Sequence, residues 1–159
     1  MDMKLRPVTP DDEPFLYELY QSAHSAELPV DHLDQTQREL LFRMQYSAQQ
    51  QTYSVQFPNA EDKIILLDGR RVGRVLVERR EDEIRGVDIG LLPEYRSTGV
   101  GTLIIRDLMA EAEMTGKPFR IQVVKTNRAA RLYERLGIYK TGESGAHFSM
   151  EWSPGKRVT

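Results

Sequence analysis

A chain of 159 residues, 40% hydrophobic and 29% charged, is long enough to build one core and too apolar to stay unfolded. It has no cysteine, which excludes disulfides, a thiolate nucleophile and cysteine-ligated zinc, and which fits a reducing compartment. The net charge of −2 gives no case for nucleic acid, and no apolar run approaches a membrane span, so the expected place is the cytoplasm, with neither nucleic acid nor membrane as a partner.

Lys4 to Val8 reads as a first strand. Thr9 then opens a helix, with Pro10 at the first helical position and Asp11, Asp12 and Glu13 in the first turn, where carboxylates meet the positive end of the helix. Phe15, Leu16, Leu19, Tyr20 and Ala23 form its apolar side, and Leu28-Pro29-Val30 breaks it. A second helix is expected from Gln35 to about Gln51, with Leu40, Leu41, Met44 and Ala48 inward; Tyr53, Val55 and Phe57 fit either an extension or a loop. Lys63 to Leu67 is a continuous apolar strand, as a strand buried on both faces would be. Asp68-Gly69 makes a hairpin turn into a return strand from Val72 to Glu78.

The central strand runs from Ile84 or Arg85 to Leu92, with Val87, Ile89 and Leu91 on one face and Asp88 on the other. Pro93 ends it, having no N–H to donate. A helix follows from about Gly99 to Gly116, with Ile104, Ile105, Leu108 and Ala112 on one face and Pro118 beyond its end. Phe119 to Val124 is a strand, and Thr126 or Asn127 caps a short helix that Gly137 ends. Ile138 to Thr141 and Ala146 to Trp152 are the last strands, joined by Gly142-Glu143-Ser144-Gly145. This order gives an α/β (α+β) fold: a mixed, mostly antiparallel sheet flanked by helices, with one parallel pair made by the strand-helix-strand unit. One domain over residues 1–152 is expected, followed by a frayed tail, 153–159.

The junction of the central strand and the following helix is the first candidate site. Arg96-Ser97-Thr98-Gly99-Val100-Gly101 is a basic, glycine-containing turn leading into a helix N-terminus, which favours an anion. The same residues also fit a turn with no ligand. The P-loop pattern and the Gly-x-Gly-x-x-Gly dinucleotide pattern are both absent. Downstream stands Asn127-Arg128-Ala129-Ala130-Arg131-Leu132-Tyr133-Glu134-Arg135-Leu136-Gly137-Ile138. In these two segments and their spacing the chain resembles the GNAT superfamily of acyl-CoA-dependent N-acetyltransferases, with Ile138 where that family usually has Phe.

The resemblance implies a GNAT-like fold, acetyl-CoA as cofactor without a metal, and transfer of an acetyl group to a primary amine by direct attack in a ternary complex. The acceptor stays open between a small amine and a protein N-terminus or lysine. A non-catalytic acyl-CoA-binding regulator on the same fold is the alternative. By the same resemblance, backbone N–H groups of Arg96, Ser97, Thr98, Gly99, Val100, Gly101 and Thr102 would hold the pyrophosphate, and Leu91 and Leu92 would pair their main chain with the pantetheine arm. Asn127, Arg131 and Tyr133 would lie along the cofactor, and Tyr133 would protonate the departing thiolate. Asn127 fits a plain helix cap equally well, and Tyr133 fits a core aromatic at helical spacing with Ala129, Ala130 and Leu136. Asp88 is the candidate general base, against a structural Asp at a sheet opening.

Charge is unevenly spread. Residues 1–62 hold eleven acids and four bases, for a net −7, which leaves +5 to the remainder. Between Met114 and Tyr133 lie Lys117, Arg120, Lys125, Arg128 and Arg131 with no acid. These are either solvated faces or an anion-binding half facing an acidic half suited to a cationic amine. His24, His32 and His147 lack ligand spacing, and Ser22, Ser25 and Ser144 lack a nucleophile's surroundings. Pairing into a homodimer, through the last strands or the second helix, is also open.

Overall fold

The computed structural model describes residues 2–24 and 32–155. The break expected at Leu28-Pro29-Val30, and the last four residues of the expected tail, lie outside the described residues. Among the described residues seven strands form one sheet in the order β1-β2-β3-β4-β5-β7-β6. The strands are β1 (Met3–Pro7), β2 (Glu61–Leu67), β3 (Arg70–Arg79), β4 (Ile84–Leu91), β5 (Phe119–Val124), β6 (Tyr139–Ser144) and β7 (His147–Trp152). Four helices accompany them: α1 (Glu13–His24), α2 (Gln35–Gln56), α3 (Val100–Thr115) and α4 (Ala129–Arg135). The sheet is mostly antiparallel, with β4–β5 as its parallel pair. The chain divides into two compact units, Met1–Val75 with Ile89–Arg96, and Leu76–Asp88 with Ser97–Thr159.

In the first unit, the α1 and α2 helices pack on the sheet through Phe15, Leu16, Tyr17, Leu19, Phe42, Tyr46 and Ile64. Here the inward face of α2 differs from the one the sequence suggests. Phe42 and Tyr46 are buried, whereas Leu40 and Met44 are more than 60% exposed and Ala48 is exposed. Both faces satisfy helical periodicity. The aromatic face wins because Tyr46 lies 5.5 Å from the rings of both Tyr17 and Tyr20, adding ring contacts to a larger buried area. The helix also runs on through Val55 to Gln56, with the Phe57 N–H closing on Tyr53 O.

The α1 helix is anchored by a buried charge network. A short 3-10 turn, Pro10–Asp12, precedes the helix proper. Asp12 is fully buried and accepts two 2.8 Å bonds from Arg6, one of 3.1 Å from Arg71 and one of 2.8 Å from the Thr9 N–H. Asp68 and Gly69 both have positive φ, 50° and 81°, as the primed hairpin turn between β2 and β3 requires. On β3, a Cβ at Gly73 would collide with the Gly90 carbonyl oxygen of β4, so only glycine permits this close approach.

The second unit is built on β5, which pairs with β7 over six residues, from Phe119↔Trp152 to Val124↔His147. The inward face of α3 is the expected one: Ile104, Ile105, Leu108 and Ala112 are buried together with Val100. Gly116, at φ 68°, ends the helix. The loop between the last two strands is shorter than Gly142 to Gly145. Gly142, Glu143 and Ser144 pair with Ser149, Phe148 and His147, after a register shift at Lys140/Gly142. An exposed edge strand tolerates that glycine and its irregularity.

Candidate active site

β4 leaves the parallel ladder early. Its pairing with β5 covers Ile84↔Phe119, Arg85↔Arg120 and Gly86↔Ile121, while β4 continues through Val87 and Asp88 and β5 continues to Val124 against β7. Asp88 therefore sits just beyond the end of the ladder, half-buried.

The end of β4 belongs to the first unit. There the Leu92 N–H donates to Val72 O at 2.8 Å, and Leu92 O accepts from the Tyr95 N–H at 3.0 Å. Leu92 is thus committed to β3 and to its own turn, and alternation directs the main chain of Leu91 away from β3. Arg96 is exposed, and its Nε donates to Leu91 O at 3.2 Å.

The turn that follows holds two residues in the left-handed region. Ser97 takes φ 62° and Gly99 takes φ 92°, both left-handed. Left-handed residues in a tight turn direct successive N–H groups to one side, which makes a concavity for anions. Gly99 is the N-cap of α3 and makes no side-chain cap bond. The first-turn N–H groups of Val100, Gly101 and Thr102 precede the intrahelical ladder, whose first bond is from the Leu103 N–H to Gly99 O at 3.1 Å. Val100 is fully buried and fixes the helix start, while Gly101 and Thr102 are half-buried and Ser97, Thr98 and Gly99 are exposed.

α4 supplies the remaining candidates. Asn127 Oδ1 accepts the Ala129 N–H at 2.9 Å, so its side chain closes a turn onto the first residue of α4, one position ahead of the N-cap Arg128. Ala130 and Tyr133 face inward, and Arg128 and Arg131 are exposed. Tyr133 is 4% exposed. Burial pushes its hydroxyl pKa up, and the negative charge of Asp88 pushes it further the same way. Both effects favour the neutral phenol.

Other sequence candidates do not gather here. His24 stacks on Tyr20 at 4.3 Å, and Ser22 Oγ donates to Leu19 O of its own helix. His32 and His147 are exposed, and Ser25 lies outside the described residues. Among the described residues no cluster of His, Asp and Glu is arranged to hold a metal, and no helix is long and apolar enough to cross a membrane. The left-handed Ser97 gave no signal in sequence, because serine carries none of glycine's bias toward positive φ.

Comparisons with known proteins bear on this geometry. The family model described as an acetyltransferase (GNAT) domain matches residues 60–137. Among curated protein sequences none matches. The PaiA N-acetyltransferase of Thermoplasma acidophilum, solved in complex with coenzyme A, superposes with a TM-score of 0.71 at 16% identity, covering 96% of this chain and 99% of that one. An acetyltransferase of Thermus thermophilus gives 0.68 at 17% identity, covering 96% and 97%. The ribosomal-protein-S18-alanine N-acetyltransferase of Escherichia coli gives 0.60 at 19% identity, covering 94% and 91%. The shared fold, the matched domain and the two sequence segments agree: residues 60–137 match a GNAT acetyltransferase domain, and the chain has a GNAT-like fold.

Proposed function

We propose that this protein moves an acetyl group from acetyl-CoA to a primary amine, which attacks directly while both are bound. The observation that carries the reading is a conjunction within the second unit. A helix start with left-handed Gly99 as its N-cap, fronted by left-handed Ser97, is accompanied by a buried Tyr133 whose hydroxyl pKa is raised by burial and by the charge of Asp88. The donor set fits a phosphate-bearing ligand: N–H groups at a helix N-terminus whose N-cap is a glycine, and exposed arginines on α4.

When bound, acetyl-CoA supplies an acetyl group already activated as a thioester. The N–H groups of residues 97–102, together with Arg96, hold the pyrophosphate, and Leu91 offers its main chain to the pantetheine arm. Arg131 contributes charge, and Asn127 fixes the start of the helix that carries Tyr133. Tyr133 Oη holds the proton that the departing sulfur requires. Asp88 accepts the proton that the amine must lose, directly or through water. The family model runs through both units, which supports reading residues 1–152 as one acetyltransferase domain. The acidic balance of residues 1–62 suits a cationic acceptor, whether a small amine or a protein amine.

The test is release of free thiol from acetyl-CoA in the presence of a diamine, a lysine-containing peptide and a peptide with a free N-terminus. At least one amine is expected to raise release above hydrolysis and to gain one acetyl group by mass. Tight CoA binding with no release for any amine would favour the regulator and overturn transfer.

A further inference from the structure

One end of the sheet in the second unit carries a run of charge that the proposed chemistry does not use. Glu78, at the end of β3, and Glu83, just before β4, are 4% and 7% exposed. Carboxylates so deeply placed stay ionised only when they are paired. Arg80 donates from Nε to Glu78 and from Nη1 to Glu83, the second bond at 3.4 Å. Arg120, on β5, donates from Nη1 to the other oxygen of Glu83 at 3.0 Å and from Nε to Glu151, on β7, at 2.5 Å. Glu151 also accepts from the hydroxyls of Tyr139, on β6, and Ser153, each at 3.0 Å. Two further bonds fasten the same corner: Lys117 Nζ to Arg80 O at 2.8 Å, and the Ile84 N–H to Pro118 O at 2.9 Å.

This corner lies where β4 and β5 first meet. The two strands are parallel partners for three residues only, Ile84 to Gly86 against Phe119 to Ile121. Parallel pairing is the weaker kind per residue, and the last β4 residue of the ladder is a glycine, with no side chain to hold it. Beyond it β4 goes on to Asp88, whose charge acts on Tyr133, while β5 goes on against β7. A partly buried ion pair adds little net stability over an apolar contact, but a planar guanidinium fixes distance and direction. Arg120 reaches its two carboxylates through different nitrogens of one rigid group, so it ties the start of β4 to β5 and β7 at a set separation.

We propose that Arg120 is a positioning residue: with Glu83 and Glu151 it clamps β4 to β5 at their first residues, and so sets the opening between them beyond Gly86, where the thioester end of acetyl-CoA has to reach Tyr133 and Asp88. The role rests on the acetyl-transfer reading above. Arg120 acts through β4, the strand that carries Asp88, and not by contact with the cofactor.

The test is the affinity for free CoA, by calorimetric titration, measured beside the melting temperature. Arg120→Lys keeps the charge and loses the planar group that reaches both carboxylates. Glu83→Gln keeps the shape and loses the charge, and it carries the test should Arg120→Lys fail to fold. Arg79→Lys is the control, because it removes a comparable pair of bonds, 2.6 and 2.9 Å, onto Glu111 of α3. Arg120→Lys and Glu83→Gln should each weaken CoA binding about 10-fold, a modest share of what a ~1 Å misplacement costs an active site. Combining them should weaken it no more than the stronger one alone, since a single clamp is already open. Arg79→Lys should bind CoA as the unmodified protein does, whatever its melting temperature. Unchanged CoA affinity in both clamp variants would overturn the proposal and leave the acetyl-transfer reading standing. So would an equal loss in Arg79→Lys, or losses that add in the double variant. No CoA binding by the unmodified protein would overturn that reading, and this role with it.

Discussion

Replacing Tyr133 by Phe should lower kcat with the best amine by ~100- to 10,000-fold, the range for losing a positioned general acid. The KM for acetyl-CoA should change little, because the ring that fills the core is retained and only the proton is lost. Tyr133 is suited to this role by its surroundings. It is 4% exposed, and both its burial and the charge of Asp88 favour the neutral phenol. Its pKa therefore lies above the ordinary tyrosine value of ~10, and the acid form survives across the assay range. The alkaline limb of the rate profile should not report Tyr133 in the unmodified protein. Asp88→Asn removes the carboxylate that favours the phenol and, in the proposed mechanism, the base that takes the proton from the amine. That variant should lose activity near neutral pH and shift its alkaline limb. A Tyr133→Phe enzyme with unaltered kcat, or an Asp88→Asn enzyme with an unaltered profile, would remove that residue from the chemistry.

Asp12→Ala should cost the fold about 3 kcal/mol, read as a lower denaturant midpoint with an unchanged slope. The figure is at the low end for breaking a buried ion pair, because Arg6 and Arg71 are each more than a third exposed and recover hydration. The side chain of Asp12 is 1% exposed, and its Oδ atoms tie β1, the start of α1 and β3 together. The bond from Arg6 holds its pKa well below the ordinary carboxylate range, against the opposing effect of burial. The sign follows from that direction. A carboxylate with a depressed folded pKa adds stability that is fully present above ~4 and fades as pH falls toward its folded value. Acid titration of the unmodified protein should show this loss below pH ~4, and Asp12→Ala should flatten it.

Much of this architecture can be read from the residues. Asp68-Gly69, Pro93, Gly116 and Gly137 each mark a boundary where the backbone needs what only those residue types supply, and the structure turns at each. The apolar face of α3 was legible because Ile104, Ile105, Leu108 and Ala112 make the only well-formed stripe on that helix. On α2 two stripes compete, and periodicity cannot rank them. Tyr17 and Tyr20, far away in sequence, decide which one is buried. The network around Asp12 was invisible for a related reason: Arg71 lies 59 residues away and reads as an ordinary surface charge. At the candidate site the glycines foretold a close backbone turn, but not that Ser97 would also be left-handed, nor that Leu92 would spend both main-chain groups on β3 and its own turn.

The measurement that bears most directly on the central claim is a thermal melt with acetyl-CoA, with free CoA and with ATP, on the unmodified protein and on Gly99→Ala. A ligand that binds only the folded state raises the melting temperature by mass action. Both CoA forms should raise it clearly, and ATP little. Gly99→Ala, forced to hold a side chain at φ 92°, should lose most of the rise, because relieving the strain turns the N–H groups away. No rise with either CoA form at near-millimolar concentration would contradict the account and leave residues 96–101 an ordinary turn.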